Sequence, residues 1–456
     1  MRGLFIFHRD LRIIDNIGLL ELNNRCKEII PVFIFTPLQV SNQNSFKSDN
    51  AIQFMIESLY DLENFIKSKN GKLIICYGKS DIELNKLIKE LKIDIVGSNF
   101  DITPFAIERE NDYRRVCEKN KIEFISYNDY YLYEPGSIKV SSTGKAYTKY
   151  TPFYNKTKDI KILKPENYKK IKFFNENFKS NYSLDTAFKE LIVFNENLLV
   201  EGRRSTALKI LSNINDFKNY NKDRDFFNYN TTQLSAYIKF GNVSVREVAE
   251  KFIKNEALFK QLVWREFYAQ ILFDYPEVLK GPLKEKYDKI NWKWNKNYFK
   301  LWCSGETGFP IVDASMRELN STGYMHNRGR LIVACFLIKT LLINWQKGEE
   351  YFATKLTDYD PASNNGNWQW VASTGADSQP YFRIFNPWTQ QKEYDPDCKF
   401  IKYWIPELEN VPIKDIHKWN EKCKYYIEEE DIDYYEPIVD YKEKREDALE
   451  MYKKAI

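Results

Sequence analysis

The chain has 456 residues, 68 Lys and Arg against 64 Asp and Glu, a net charge of +4 and three histidines. That length suits two or three domains, and 43% hydrophobic with 29% charged residues describes a folded chain rather than a disordered one. The longest unbroken apolar run, Leu331–Ile338, falls far short of the roughly 18 residues of a membrane span. The apolar start Leu4–Phe7 runs straight into His8, Arg9 and Asp10, unlike a secretory leader. The seven cysteines are dispersed and form no CxxC pair, which argues against a disulfide framework, a zinc site and a local iron–sulfur motif. A cytoplasmic protein without a metal or a membrane association is therefore expected. The small net charge neither supports nor excludes nucleic acid, because binding depends on where charge sits.

Residues 1–130 alternate short apolar runs with helix-periodic stretches. Gly3–Phe7, Ile29–Phe35, Leu73–Tyr77, Ile93–Val96 and Phe124–Tyr127 read as buried strands, with helices over Ile52–Ile66 and Ile82–Leu91. Ser80-Asp81-Ile82-Glu83 has the pattern of a capping box. The alternation implies a parallel sheet with right-handed crossovers, a Rossmann-like α/β unit. Neither G-x-G-x-x-G nor G-x-x-x-x-G-K-[ST] occurs, so no dinucleotide fingerprint or P-loop supports it. Residues 131–200, rich in Lys, Asn and Tyr beyond residue 136, read as a connector draped over the surface. Residues 201–456 are helical in pattern, and Ser244-Val245-Arg246-Glu247 opens one helix as a second capping box.

Four stretches of the helical part carry chemistry. Gln261, Trp264, Arg265 and Tyr268 fall at i, i+3, i+4 and i+7, a polar-aromatic helical stripe suited to a cleft; an amphipathic helix with a snorkelling Arg is the simpler alternative. Thr231-Thr232-Gln233-Leu234-Ser235 opens a helix running to Gly241, and hydroxyls with free N–H groups there suit a phosphate, although plain threonine capping is commoner. Arg328 and Arg330 precede an apolar helix and need partners if buried; Asp358 and Asp360 are candidates. Asn364-Asn365-Gly366-Asn367-Trp368-Gln369-Trp370 places Asn364 and Trp368 on one helix face and suits a planar ligand.

At these residues the chain resembles the DNA photolyase/cryptochrome family, most nearly the class I cyclobutane pyrimidine dimer photolyases. The resemblance starts at Phe7-His8-Arg9-Asp10-Leu11-Arg12 and continues through Gly144-Lys145-Ala146-Tyr147 and Thr151-Pro152-Phe153. It is densest from Glu201-Gly202-Arg203-Arg204 to Phe385-Asn386-Pro387. It implies an α/β antenna domain followed by an all-α domain that holds FAD, working as FADH⁻. A second antenna chromophore, a folate, a deazaflavin or a flavin, is also implied. By motif matching, Tyr220 and Thr231 through Ser235 would contact the flavin's phosphates and sugar. Asp358 and Asp360 would lie beside the isoalloxazine ring, with Arg330 paired to Asp358, and Asn364 would face flavin N5. Trp368, Trp345 and Trp292 match the family's electron-hopping tryptophans. Arg224, Trp264, Arg265, Asn327, Arg328, Trp370 and Arg383 match residues that line the lesion pocket or grip DNA.

The resemblance implies light-driven repair of cyclobutane dimers in UV-damaged DNA by a monomer, acting on a flipped-out lesion. The alternatives are a (6-4) photoproduct photolyase and a cryptochrome-like photoreceptor without repair. The (6-4) chemistry relies on two pocket histidines, whose positions match Asn327 and Leu331. Two departures from the dimer enzymes stand out: Gln261 replaces the usual glutamate, and Leu331 the usual methionine. Gln261 can still donate an N–H to a pyrimidine carbonyl, and Leu331 keeps a methionine-like volume.

Overall fold

The computed structural model describes residues 1–455. Five strands, Arg2–Phe7 (β1), Glu28–Phe35 (β2), Ile74–Tyr77 (β3), Ile95–Asn99 (β4) and Glu123–Tyr127 (β5), form one parallel sheet in the order β3-β2-β1-β4-β5. Each expected strand is present with its ends moved by at most a few residues. The apolar runs are continuous because both faces are covered. Leu4, Ile6, Val32 and Val96 feed one core, while Phe5, Phe7, Phe33 and Ile95 feed the other. The chain winds outward from β1 to β3, then returns to place β4 on the other side of β1. That leaves a crevice at the carboxyl ends of β1 and β4.

The two capping patterns fare differently. Ser244 and Glu247 form a complete box: Glu247 N donates to Ser244 Oγ at 3.0 Å and Ser244 N donates to Glu247 Oε2 at 2.8 Å. The Ser80 box is absent. Its helix, Ser80–Leu91, begins at Ser80 itself, with Lys79 as an uncapped N-cap, and Glu83 instead pairs with Lys86 and accepts from Asn181.

The connector is also more embedded than expected. It carries the short helices Tyr150–Thr157 and Leu184–Glu190, and Phe173 and Phe174 are buried. β3 pairs only with the Val32–Phe35 half of β2, so the first half has an open edge. Residues 172–174 fill it: Ile29 N donates to Lys172 O, and Phe174 N donates to Ile29 O, both at 2.9 Å. Beyond Tyr127 the described residues contain helices and no further strand.

Sheet and helices meet through charge. Arg246, on the helix Val245–Phe252, donates to Asp15 at 3.0 Å and to Asp129 at 2.7 Å. Arg12 donates to the other Asp129 oxygen at 2.6 Å. All four side chains are buried. Burial works to raise the pKa of Asp129, but Arg12 and Arg246 outweigh it and hold it below the usual value. A few residues away, Gly241 ends the helix Ser235–Phe240 with φ of +70°, and a Cβ there would lie 2.5 Å from Arg9 O. Only glycine lets the two backbones approach so closely.

Asp129→Ala would leave buried Arg12 without a carboxylate and Arg246 with Asp15 alone, and removing one partner of such a group typically costs about 3–5 kcal/mol. Denaturant unfolding of the variant should show a loss of that size, and a loss under 1 kcal/mol would contradict the assignment.

Candidate active site

A cavity of about 330 Å³ opens in the helical part. It lies between the segment Tyr220–Ser235 and the helices Glu256–Asp274, Asn327–Lys339 and Pro361–Val371. Of the expected cofactor residues, Tyr220, Thr231, Thr232, Gln233, Leu234, Ser235, Arg330, Asp358, Asp360 and Asn364 all line it. The threonines do not open a helix, however. The chain turns at Gln233, with φ of +51°, and the helix starts at Ser235 behind Leu234. The hydroxyls thus sit on an irregular loop, where Thr231 Oγ1 lies 3.1 Å from Tyr324 OH.

The inner end is charged. Arg330 Nη2 reaches Asp358 Oδ2 at 3.0 Å while its Nε donates to Met325 O at 2.9 Å, which fixes the guanidinium plane. Asp360 caps the helix Pro361–Val371 by accepting from Ser363 N at 3.0 Å, and its other oxygen accepts from Arg9 at 2.8 Å. Burial would raise the Asp360 pKa, but Arg9, then Lys239 and Arg265, pull it well below the usual carboxylate range. Desolvation and the neighbouring Arg9 push Lys239 down to about 8. Sequence reasoning missed Arg9 and Lys239 as wall residues. Arg9 was noted only within the Phe7–Arg12 motif, and its partner lies 351 positions away.

Asn364 is 9% exposed and donates through Nδ2 to Glu349 O at 3.1 Å. The flipped amide would set two oxygens together, so Oδ1 remains the free acceptor facing the cavity. Trp368, one turn on, is buried on the wall, edge-on to Phe352 at 5.0 Å. Gly348 makes room for it: a Cβ there would lie 2.1 Å from the indole. These donors, the charged pairs and an apolar wall that includes Leu262, Ala334 and Val371 fit a flavin nucleotide. Arg224 and Arg9 each present a buried Nε without an acceptor, and both line the cavity.

The expected lesion residues divide. Gln261, Arg265, Asn327, Leu331 and Arg224 line the cavity. Trp264 stands on the adjoining groove, with one face covered by Tyr150 at a centroid distance of 3.7 Å and 2° between planes. Tyr268 does not reach the cavity. It is buried where Gly366 brings the next helix so close that a Cβ would fall 2.1 Å from the ring. Arg328 is taken up by Asp225 at 2.8 Å and lies over Tyr394. Trp370 is half-buried and Arg383 exposed, and neither is on the cavity wall. Trp345 is buried and Trp292 half-buried, the latter edge-on to Tyr452 at 6.0 Å. Lys293 N donates to Leu342 O at 2.9 Å, tying the Trp292 segment to the loop before Trp345.

No histidine lines the cavity. His326 caps the helix Asn327–Lys339, accepting from Arg328 N at 3.2 Å, and its ring lies 5.0 Å from Phe227. Burial pushes its pKa down to about 4. Among the described residues no group of three or more His, Cys, Asp or Glu is placed to hold a metal ion, and no helix is long and apolar enough to cross a membrane.

Comparison with known proteins gives the same picture along the whole chain. Residues 4–169 match the family described as DNA photolyase, and residues 258–454 match the FAD binding domain of DNA photolyase. A deoxyribodipyrimidine photo-lyase of Halobacterium salinarum is 32% identical, over 99% of each chain. An archaeal photolyase from Sulfolobus tokodaii, solved with two FAD molecules, aligns at a TM-score of 0.90 with 39% identity, covering 100% of both chains. A class III photolyase from Agrobacterium tumefaciens aligns at 0.91 with 31% identity, covering 100% of this chain and 97% of its own.

Glu349 supplies the carbonyl that orients Asn364, and its carboxyl accepts from Asn365 at 3.0 Å. Burial raises its pKa from 4.5 to about 7, opposed in part by that hydrogen bond. The raised value means that the folded state favours the protonated acid. Its contribution is full below about pH 4.5 and is lost as pH rises through about 7. Glu349→Gln should therefore flatten the decline in stability over this window, measured by denaturant unfolding at each pH. An unchanged profile would contradict the assignment.

Proposed function

The chain belongs to the DNA photolyase family, and on that premise we propose that it repairs cyclobutane pyrimidine dimers in DNA under blue light. The observation that carries this reading is the pairing of a free Asn364 carbonyl inside the cavity with the Gln261 amide at a histidine-free wall. A reduced flavin held there would, on excitation, supply the electron that opens the cyclobutane ring and would recover it afterwards.

The chain's own groups do the rest. Thr231, Thr232 and Ser235 offer hydroxyls to the cofactor's phosphates, and Asn364 Oδ1 accepts a proton-bearing nitrogen. Arg330 with Asp358, and Arg9 with Asp360, keep the inner end polar through two ion pairs. Gln261 uses one N–H weakly on Ala257 O at 3.3 Å, so its amide is left to meet a pyrimidine carbonyl as a neutral donor. Asn327 and Leu331 flank it. The (6-4) reaction would ask for titratable imidazoles at those two positions, which speaks for the dimer as substrate. Asn364 likewise speaks for repair over signalling. Trp368 on the cavity wall, buried Trp345 and half-buried Trp292 are the candidates for stepwise electron supply to the cofactor.

We further propose a second flavin as antenna, as in the Sulfolobus tokodaii photolyase with its two FAD molecules. The crevice at the ends of β1 and β4 supports this reading. Tyr113 OH, Tyr130 OH and Arg109 Nε are buried around it without partners, and His8 stacks on Tyr113 at 5.9 Å.

The purified reduced protein should restore oligonucleotides carrying a cyclobutane dimer under blue light and leave the (6-4) lesion intact. Repair of the (6-4) lesion alone would overturn the reading. Trp292→Phe should slow photoreduction at least tenfold while chemically reduced protein keeps repairing. Equal losses in both assays would refute the electron-supply role. Flavin released by denaturation should approach two equivalents per chain, against one if the antenna is not a flavin.

A further inference from the structure

Trp368, on the cavity wall, packs against Phe352 at 5.0 Å and against Trp302 at 6.3 Å, in both cases edge to face. Trp302 is fully buried and stacks on Phe299 at 5.9 Å, with 21° between the planes. Phe299 in turn lies 5.5 Å from Trp294. Trp294 is 58% exposed, and among the described residues it is the only exposed tryptophan. A row of touching rings therefore runs from the cavity wall to open solvent without passing through Trp345 or Trp292.

The local sequence builds this row. Asn295 caps the helix Lys296–Ser304 by accepting from Tyr298 N at 3.0 Å, which leaves Trp294 outside the helix. Phe299 and Trp302, three positions apart, then share one helix face. The Trp302 indole donates to Val333 O at 3.1 Å. An indole N–H is a donor only, and a peptide carbonyl accepts the bond without taking the proton. An oxidised Trp302 would therefore keep its proton and pass the charge on. Tyr351, 5.6 Å from Trp302, is no rival end point. Its OH faces Cys303 O and Asn320 Oδ1, two carbonyl oxygens that cannot act as the base phenol oxidation needs. Trp294 differs, because water surrounds it and can take its proton.

Resting on the flavin reading of the cavity, we propose that Trp302 and Trp294 form a second electron entry to the cofactor, separate from Trp345 and Trp292. Trp368 gives one electron to the light-excited oxidised cofactor, Trp302 refills Trp368, and Trp294 refills Trp302. The oxidised Trp294 loses its indole proton to water. A thiol in solution then returns a hydrogen atom to the neutral indole radical and leaves as a thiyl radical. One electron has entered and one proton has been released, both drawn from the thiol. Phe299 lacks the electron-rich indole and serves only as a bridge, so the step from Trp294 to Trp302 is slow and this entry is the minor one.

The test uses the FAD-loaded full chain, oxidised and illuminated in excess thiol, with variants compared at equal bound flavin. Flavin absorbance should show a small residual rate of photoreduction in Trp292→Phe, and Trp292→Phe/Trp294→Phe should bring it to the dark rate. Phe299→Trp, added to Trp292→Phe, puts an oxidisable ring in the gap and should raise the residual rate by about threefold or more. A second readout follows the protein itself. After illumination in air without thiol, mass spectrometry of peptides should find more oxygen added at Trp294 than free FAD in solution produces in the flavin-free chain. A residual rate equal in the single and double variants, one unmoved by Phe299→Trp, or no excess oxygen at Trp294 would overturn the second entry and leave the Trp292 assignment standing. Full photoreduction in Trp292→Phe that is lost on adding Trp294→Phe would keep the second entry and remove the Trp292 assignment. A chain that takes up no FAD would instead remove the reading of the cavity on which both rest.

Discussion

Arg246 leaves the helical part of the chain and ends between Asp15 and Asp129, where no water reaches either carboxylate. Such a group of buried charges contributes little net stability, since the desolvation it demands nearly cancels its Coulomb gain. What it contributes is geometry, because few arrangements satisfy every donor and acceptor at once. The sheet can dock against the helices in this orientation and hardly in any other. The Gly241 backbone contact and the hydrogen bond from Leu11 N to Phe240 O at 2.9 Å follow from the same docking.

The cavity depends on that docking directly. Arg9 stands just past the end of β1, yet its guanidinium completes the wall by holding Asp360. Asp360 in turn caps the helix that carries Asn364 and Trp368. A side chain from the sheet therefore fixes the start of the helix whose face the cofactor would meet. On the deep wall Arg330 is answered by Asp358 and Arg9 by Asp360.

Much of this was legible in the sequence where the signal is local. Buried parallel strands announce themselves as apolar runs, and the spacing of Asn364 and Trp368 already set them on one face. Of the Gln261 stripe, Gln261 and Arg265 line the cavity and Trp264 the adjoining groove, whereas Tyr268 does not reach it, because a stripe has no way of showing where the neighbouring helix closes in; Gly366 decides that. The Ser80 pattern failed by one residue of register, and Thr231 failed because the positive φ at Gln233 delays the helix. The connector was read as surface because its partner, the open edge of β2, exists only once β3 is known to be short. Arg9 and Lys239 gave no signal, since their roles arise from groups far away in the chain.

That separation also orders events during synthesis. Arg9 is made 351 residues before Asp360, which at roughly 5–20 residues per second is about 20–70 s. Through that interval the nascent sheet carries Asp15, Asp129 and Arg12 without Arg246, and then Arg9 with Asp101 but without Asp360. Early segments must wait, solvated, for late ones. The cofactor cavity is consequently among the last parts of the molecule to come into being, and no fragment ending before Asp360 can own a finished one.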